Sequence, residues 1–155
     1  MKISFIGTGL MGFPMAKNLL KKKLDLNIFS RTLKKAKPLE EFGGKLKLSL
    51  GEAVKDTDFV FTMLTDDDAV ENVLGDTQFL NNLKASSTVI DMSSIKPKIA
   101  VKYGKLLNEK NINFLDLGLQ PLANNYLYKK DLKKKEKKYR LKVGINLETK
   151  LVSIN

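Results

Sequence analysis

Between the apolar residues Ile3, Phe5 and Ile6 and a helix-like segment reaching to about Lys23 stands the hexapeptide Gly7-Thr8-Gly9-Leu10-Met11-Gly12. Three glycines in six residues occur in many loops, and a plain strand-to-helix turn accounts for them too. Placed directly between a strand and a helix, the spacing G-x-G-x-x-G assigns each glycine a task. Gly7 makes the tight turn, Gly9 lets backbone approach a pyrophosphate, and Gly12 lets the helix lie close on the strand. Free N–H groups and the positive end of the helix favour an anion at that point.

The remainder of the first 116 residues repeats the alternation of strand and helix. Leu24–Phe29 has apolar residues at period two and ends at Ser30-Arg31-Thr32. Thr32 to Phe42 reads as a helix that Pro38 kinks or limits, and Gly43-Gly44 ends it. Leu46 and Leu48 alternate with lysines as a short strand, and Ser49 with Glu52 forms a capping-box pattern for a short helix. Phe59 to Leu64 is apolar enough for a strand buried on both faces. Asp66, Asp67 and Asp68 suggest a metal or acid–base site less than the opening of a helix, Ala69 to Leu74, where negative charge is favourable. Phe79, Leu80 and Leu83 mark a short amphipathic turn, and Thr88–Ile90 a further strand. Pro97 suits the first turn of a helix running to about Lys110. Ile112–Leu115 is the last strand. The pattern predicts an α/β fold of the doubly wound, Rossmann type with a mainly parallel sheet.

In such folds the end of the second strand faces the adenosine ribose about 20 residues beyond the glycines. Arg31 lies 19 residues after Gly12. An acidic residue there would hold the ribose hydroxyls and repel a 2′-phosphate. Ser30, Arg31, Thr32, Lys34 and Lys35 instead offer hydroxyls and cations, which favours NADP over NAD. The same residues also suit a solvated helix start.

Among the 155 residues there is no cysteine and no histidine, which removes disulfides, thiol nucleophiles and imidazole acid–base chemistry. No apolar run approaches the ~20 residues that span a bilayer, and the N-terminal apolar stretch is too short for a signal peptide. A cytoplasmic protein without a membrane span is expected. The net charge of +11 is uneven. Residues 1–116 carry 18 Lys/Arg against 14 Asp/Glu, and residues 117–155 carry 10 against 3. The chain therefore divides into a nucleotide-binding domain, 1–116, and a basic tail, 117–155, to which the pattern assigns no definite structure.

Several ordered motifs over residues 1–116, GTGLMGFPMAKNLL, SRT, DFVFTML, VIDMSS-x-x-P and NFLD, resemble the N-terminal domain of the β-hydroxyacid dehydrogenases. That family includes 3-hydroxyisobutyrate dehydrogenase, the glyoxylate/succinic semialdehyde reductases and, more distantly, 6-phosphogluconate dehydrogenase. The resemblance implies a nicotinamide cofactor whose pyrophosphate is held by Gly7, Gly9, Leu10, Met11 and Gly12. It matches Met63, Leu64 and Thr65 to the fourth-strand segment along the cofactor, and Ser94 to the Thr of a DMST motif. It also associates SRT with enzymes accepting NADP.

Beyond Asp116 the resemblance ends. Gln120 stands where the family carries the Ser of a DAPVSGG segment, and the glycine pair is missing. The family's catalytic Lys and Asn, on the helix leading into a second, all-helical domain, have no counterpart. The lysine run 129–138 offers solvated amines rather than a positioned general acid. No catalytic or metal-binding residue is therefore assigned, and the tail reads as the product of a truncation or frameshift. Three readings follow: the cofactor domain of an oxidoreductase, a non-catalytic nucleotide-binding module or half of a split enzyme completed by a separate helical domain or chain, and a polyanion-binding protein acting through the tail. The third is the least favoured, since the tail has no nucleic-acid motif.

Overall fold

A computed structural model of the protein describes residues 1–118; the basic tail from residue 119 on, Gln120 and the lysine run included, lies outside the described residues. Strands β1 (Lys2–Ile6), β2 (Asp25–Phe29), β3 (Lys45–Leu46), β4 (Phe59–Thr62), β5 (Thr88–Asp91) and β6 (Asn113–Asp116) form one sheet in the order β3-β2-β1-β4-β5-β6. Every pairing is parallel. This is the doubly wound order expected from the alternating pattern. Along its C-terminal edge the register sets Phe29, Ile6, Thr62, Asp91 and Asp116 in one row.

Helices cover both faces, so β1 is buried on both. Ile3 and Phe5 pack with Ala16 and Leu20 of helix α1 (Gly12–Lys21) and with Leu26 and Ile28. Ile6 packs on the opposite face with Val54, Val60, Val70 and Phe79. Phe5 is wholly excluded from solvent, a burial that stabilises the fold by roughly 1.5–3 kcal/mol. Helix α6 (Pro97–Glu109) opens on Pro97 and adds Ile99, Ala100, Tyr103 and Leu107 to the second cluster, a stripe at helical spacing.

Several elements differ from the expected bounds. The segment 32–42 splits into α2 (Leu33–Ala36) and a 3-10 helix, Lys37–Phe42, with Pro38 in its first turn. A proline ring cannot continue an α-helix that needs its N–H, whereas the first turn of a new one tolerates it. Gly43 then closes the segment at φ +88°. Strand β3 stops at Leu46, leaving Leu48 76% exposed. Helix α3 (Leu50–Val54) is capped as expected by Ser49, whose Oγ accepts from the Glu52 N–H, but the Glu52 carboxylate reaches the N–H of Leu48 instead of Ser49. Helix α4 (Asp67–Leu74) starts two residues early because the Asp66 carboxylate accepts from the N–H of Ala69. A separate helix, α5 (Thr77–Asn82), stands where a single turn was expected, capped by Asp76. Strand β4 ends at Thr62, so Met63 and Leu64 belong to the loop beyond it.

Candidate functional site

From β1 the chain runs outward through β2 and β3, then crosses to β4 on the other side of β1. In sheets of this order the loops after the two diverging strands, here β1 and β4, leave a crevice at the C-terminal edge, the place where ligands bind in such folds. The residues singled out from the sequence fall on the loops that follow the strands at this edge, or, for Gly12 and Lys35, in the helices that those loops open. Gly7–Gly12 follow β1, Ser30–Thr32 and Lys35 follow β2, Met63–Thr65 follow β4, and Ser94 follows β5.

The glycine turn is shaped by contacts that admit no side chain. Gly7 has φ +96°, and a Cβ there would overlap the carbonyl oxygen of Met63 and meet Leu64 Cδ2 at 2.9 Å. Its N–H donates to the carbonyl of Phe29 at 3.0 Å, which ties the turn to the end of β2. A Cβ on Gly12 would overlap the carbonyl oxygen of Gly7 and lie 3.2 Å from Phe5 Cε1. Over Gly9, by contrast, a Cβ would meet nothing within 4 Å. Helix α1 begins here, with Pro14 in its first turn and Phe13 N–H donating to the Gly9 carbonyl at 3.0 Å. The N–H groups of Leu10, Met11 and Gly12 have no acceptor among the described residues, the normal state of a helix N-terminus awaiting an anion. The Oγ1 of Thr8 is buried in the same turn without a hydrogen-bond partner. Open space over Gly9, free amides and an orphaned hydroxyl fit the phosphates of a dinucleotide.

At the end of β2, Ser30 is buried, while Arg31, Thr32 and Lys35 are exposed. Thr32 precedes α2 without capping it, so its hydroxyl is not committed to the helix. Across the edge, the Ala69 N–H and the Thr65 hydroxyl hold the Asp66 carboxyl below its ordinary range, with the Arg31 charge adding to the effect. The Arg31 charge thus reaches a carboxylate on the β4 side of the edge.

The ends of β4 and β5 are joined by a buried polar cluster. Asp91 Oδ1 accepts from Thr62 Oγ1 at 2.7 Å, from Ser93 Oγ at 2.6 Å and from the Ser93 N–H at 3.2 Å. Ser93 Oγ in turn accepts from the N–H of Leu64 at 2.9 Å. Thr62, Asp91 and Ser93 are all fully excluded from solvent. Burial pushes the Asp91 carboxyl up against the lowering effect of these hydrogen bonds. Asp116, its register partner on β6, is raised by burial and, further, by the Asp91 charge. Of the two serines in the DMSS segment, Ser93 faces inward and Ser94 is exposed.

Thr8, Asp91 and Ser93 escaped the sequence reading. Thr8 sat inside a motif read for its glycines, and its position there was the one available signal. Nothing in the spacing of Asp91 and Ser93 reveals a partner 29 residues away.

A parallel sheet of this order, with a glycine turn opening a helix at its switch point, defines a dinucleotide-binding domain. Residues 2–120 match the family described as the NAD binding domain of 6-phosphogluconate dehydrogenase, and the chain belongs to that family. Among curated relatives, 3-sulfolactaldehyde reductase of Escherichia coli (strain K12) is 35% identical over 116 residues, 74% of this chain and 39% of that protein. Glyoxylate/succinic semialdehyde reductase 2, chloroplastic, of Arabidopsis thaliana is 30% identical over 115 residues, 74% of this chain and 32% of that protein. The solved structure of 3-hydroxyisobutyrate dehydrogenase of Mycobacterium tuberculosis with L-serine superposes with a TM-score of 0.71 at 28% identity, covering 77% of this chain and 40% of that one. The chain therefore spans only about a third to two-fifths of such relatives' length, and the similarity lies in the cofactor domain. Among the described residues no helix is long and apolar enough to cross a membrane.

Proposed function

We propose that the crevice binds a nicotinamide dinucleotide, NADP(H) in preference to NAD(H), as the cofactor domain of an oxidoreductase of the β-hydroxyacid dehydrogenase type. One observation carries this reading. Three unpaired amides at the start of α1 lie beside an unobstructed Gly9, in a turn whose other two glycines are held by contacts that no side chain could replace. The pyrophosphate then rests on Gly9, Leu10, Met11 and Gly12. Ser30, Arg31, Thr32 and Lys35 surround the 2′-position of the adenosine ribose. Met63, Leu64 and Thr65 form the opposite rim, and the Ser94 hydroxyl is available beside the nicotinamide half. In the complete reaction, hydride passes between the nicotinamide and the carbinol or carbonyl carbon of a short hydroxy acid or semialdehyde.

No catalytic role is assigned to residues 1–118, and the general acid of that reaction is assigned to a separate helical domain or chain. A cytoplasmic location belongs to the same reading; it is consistent with a chain that has no cysteine, and cell fractionation tests it. Fluorescence titration of the purified chain with NADPH and, in parallel, NADH tests the binding. Saturable binding with NADPH clearly tighter is the expected result, and binding of neither would refute the reading. Dehydrogenase activity appearing only on mixing with a helical-domain chain tests the split assignment, and activity of the chain alone would overturn it.

A further inference from the structure

We propose that Ser93 is a positioning residue for the dinucleotide: held in place by Asp91, it anchors the Leu64 amide and with it the Met63–Thr65 rim of the crevice against the glycine turn. The inference rests on the reading of the crevice as a nicotinamide dinucleotide site and extends it to two buried residues that touch no ligand.

The directions of the hydrogen bonds follow from the donors available. Asp91 Oδ1 accepts the hydroxyl hydrogens of both Thr62 and Ser93, at 2.7 and 2.6 Å. With its own hydrogen committed, Ser93 Oγ presents a lone pair, and the Leu64 N–H donates to it at 2.9 Å. The Ser93 N–H also donates to Asp91, so the serine is gripped at two points before it reaches across to the β4 loop. The sheet does not depend on this reach. Met63 N–H donates to the Ile6 carbonyl and Met92 N–H to the Thr62 carbonyl, each at 2.9 Å, and these backbone bonds already extend the ladder past the strand ends. What Ser93 adds is an anchor for the first residue of the loop that the ladder does not hold. Leu64 meets the glycine turn together with the Met63 carbonyl to which its amide is joined, since its Cδ2 lies 2.9 Å from the place a Cβ on Gly7 would occupy. A displaced Leu64 amide therefore shifts the rim facing the phosphates and the nicotinamide half. The adenosine end, beside Arg31 and β2, is on the other side of β1.

The test uses the 155-residue chain and its Ser93→Ala and Asp91→Asn variants. Affinities for NADPH and for 2′,5′-ADP, a fragment that occupies only the adenosine end, are measured alongside hydrogen exchange at the Leu64 amide. Ser93→Ala is expected to weaken NADPH about fivefold to tenfold, the scale of one lost hydrogen bond, and to leave 2′,5′-ADP within about twofold. The Leu64 amide is expected to exchange faster in the same variant. Asp91→Asn, whose carboxamide oxygen still accepts from both hydroxyls while its NH2 takes the buried, unpartnered place of Oδ2, is expected to weaken NADPH by less than Ser93→Ala. Unchanged NADPH affinity in Ser93→Ala, or an equal loss for both ligands, would overturn the proposal while leaving the cofactor reading intact. A wild-type chain that binds neither NADPH nor 2′,5′-ADP would instead overturn the cofactor reading, and this inference with it.

Discussion

Gly12 and Gly7 approach so closely that a single methyl group on Gly12 would overlap the carbonyl oxygen of Gly7. Helix α1 and the end of β1 are in backbone contact, and Phe5 closes the same gap from beneath. Gly12→Ala is therefore expected to force the helix away from the strand, with a loss of about 1–3 kcal/mol, the usual scale of overpacking. Gly9→Ala meets open space, and its stability is expected to stay within about 0.5 kcal/mol of wild type. Both variants are expected to lose nucleotide affinity, Gly9→Ala because its methyl takes the place of the phosphates. Urea denaturation beside NADPH titration separates the two. A Gly9→Ala variant that binds NADPH normally would show that the phosphates do not lie over Gly9.

In the proposed binding mode, Arg31 meets the 2′-phosphate of the adenosine ribose. Replacing it by aspartate removes that charge and introduces an acceptor for ribose hydroxyls. The Arg31→Asp variant is expected to lose about tenfold or more in NADPH affinity and to bind NADH at least as well as the wild type. Parallel titrations with the two cofactors measure the exchange, and a uniform loss for both would argue against the assignment of Arg31.

Asp66 caps α4 and lies within electrostatic reach of Arg31, so its removal has two separable effects. Asp66→Ala is expected to lower stability through the lost cap. It is also expected to tighten NADPH relative to NADH at low salt, because Arg31 is relieved of a competing carboxylate. Raising the ionic strength should shrink the second effect and leave the first, since an exposed charge is screened while a capping hydrogen bond is not.

Asp91 sets a pH dependence whose sign follows from its raised pKa. In the unfolded chain the carboxyl ionises near 3.8, whereas burial holds the folded one protonated to a higher pH. Between those two values the unfolded state releases its proton first, so this group's contribution to stability is full below about 3.8 and declines as pH rises through the folded pKa. Asp58, held below its ordinary range by Lys84 and the Lys2 N–H, acts in the opposite sense and loses its contribution as pH falls. The difference between wild type and Asp91→Asn isolates the first effect. Denaturant unfolding from pH 4 to pH 8 is expected to show the variant gaining on the wild type as pH rises. A difference independent of pH would mean that Asp91 titrates normally.

The alternation of strand and helix was legible because each signal is local. Apolar period two marks β2, Pro97 opens α6, and Ser49 with Glu52 opens α3, all within a few residues of the structure they produce. The glycine turn was legible for the same reason, since backbone that must bend and pack within six residues admits few side chains. By itself, then, the sequence determined the fold class, the strand order it implies and the edge of the sheet on which a ligand would rest. Where β4 stops depended on the length of its neighbour, because β1 ends opposite Thr62 and an apolar run does not record that. Which serine of DMSS faces inward depended on Asp91, Thr62 and Leu64 meeting at one point. The opposition of Asp91 and Asp116 came from strand register, and the reach of the Arg31 charge to Asp66 from the crossing between the two halves of the sheet. These relationships join residues some 25 to 56 positions apart, and a hydrogen bond or a field between such residues exists only once the chain has brought them together.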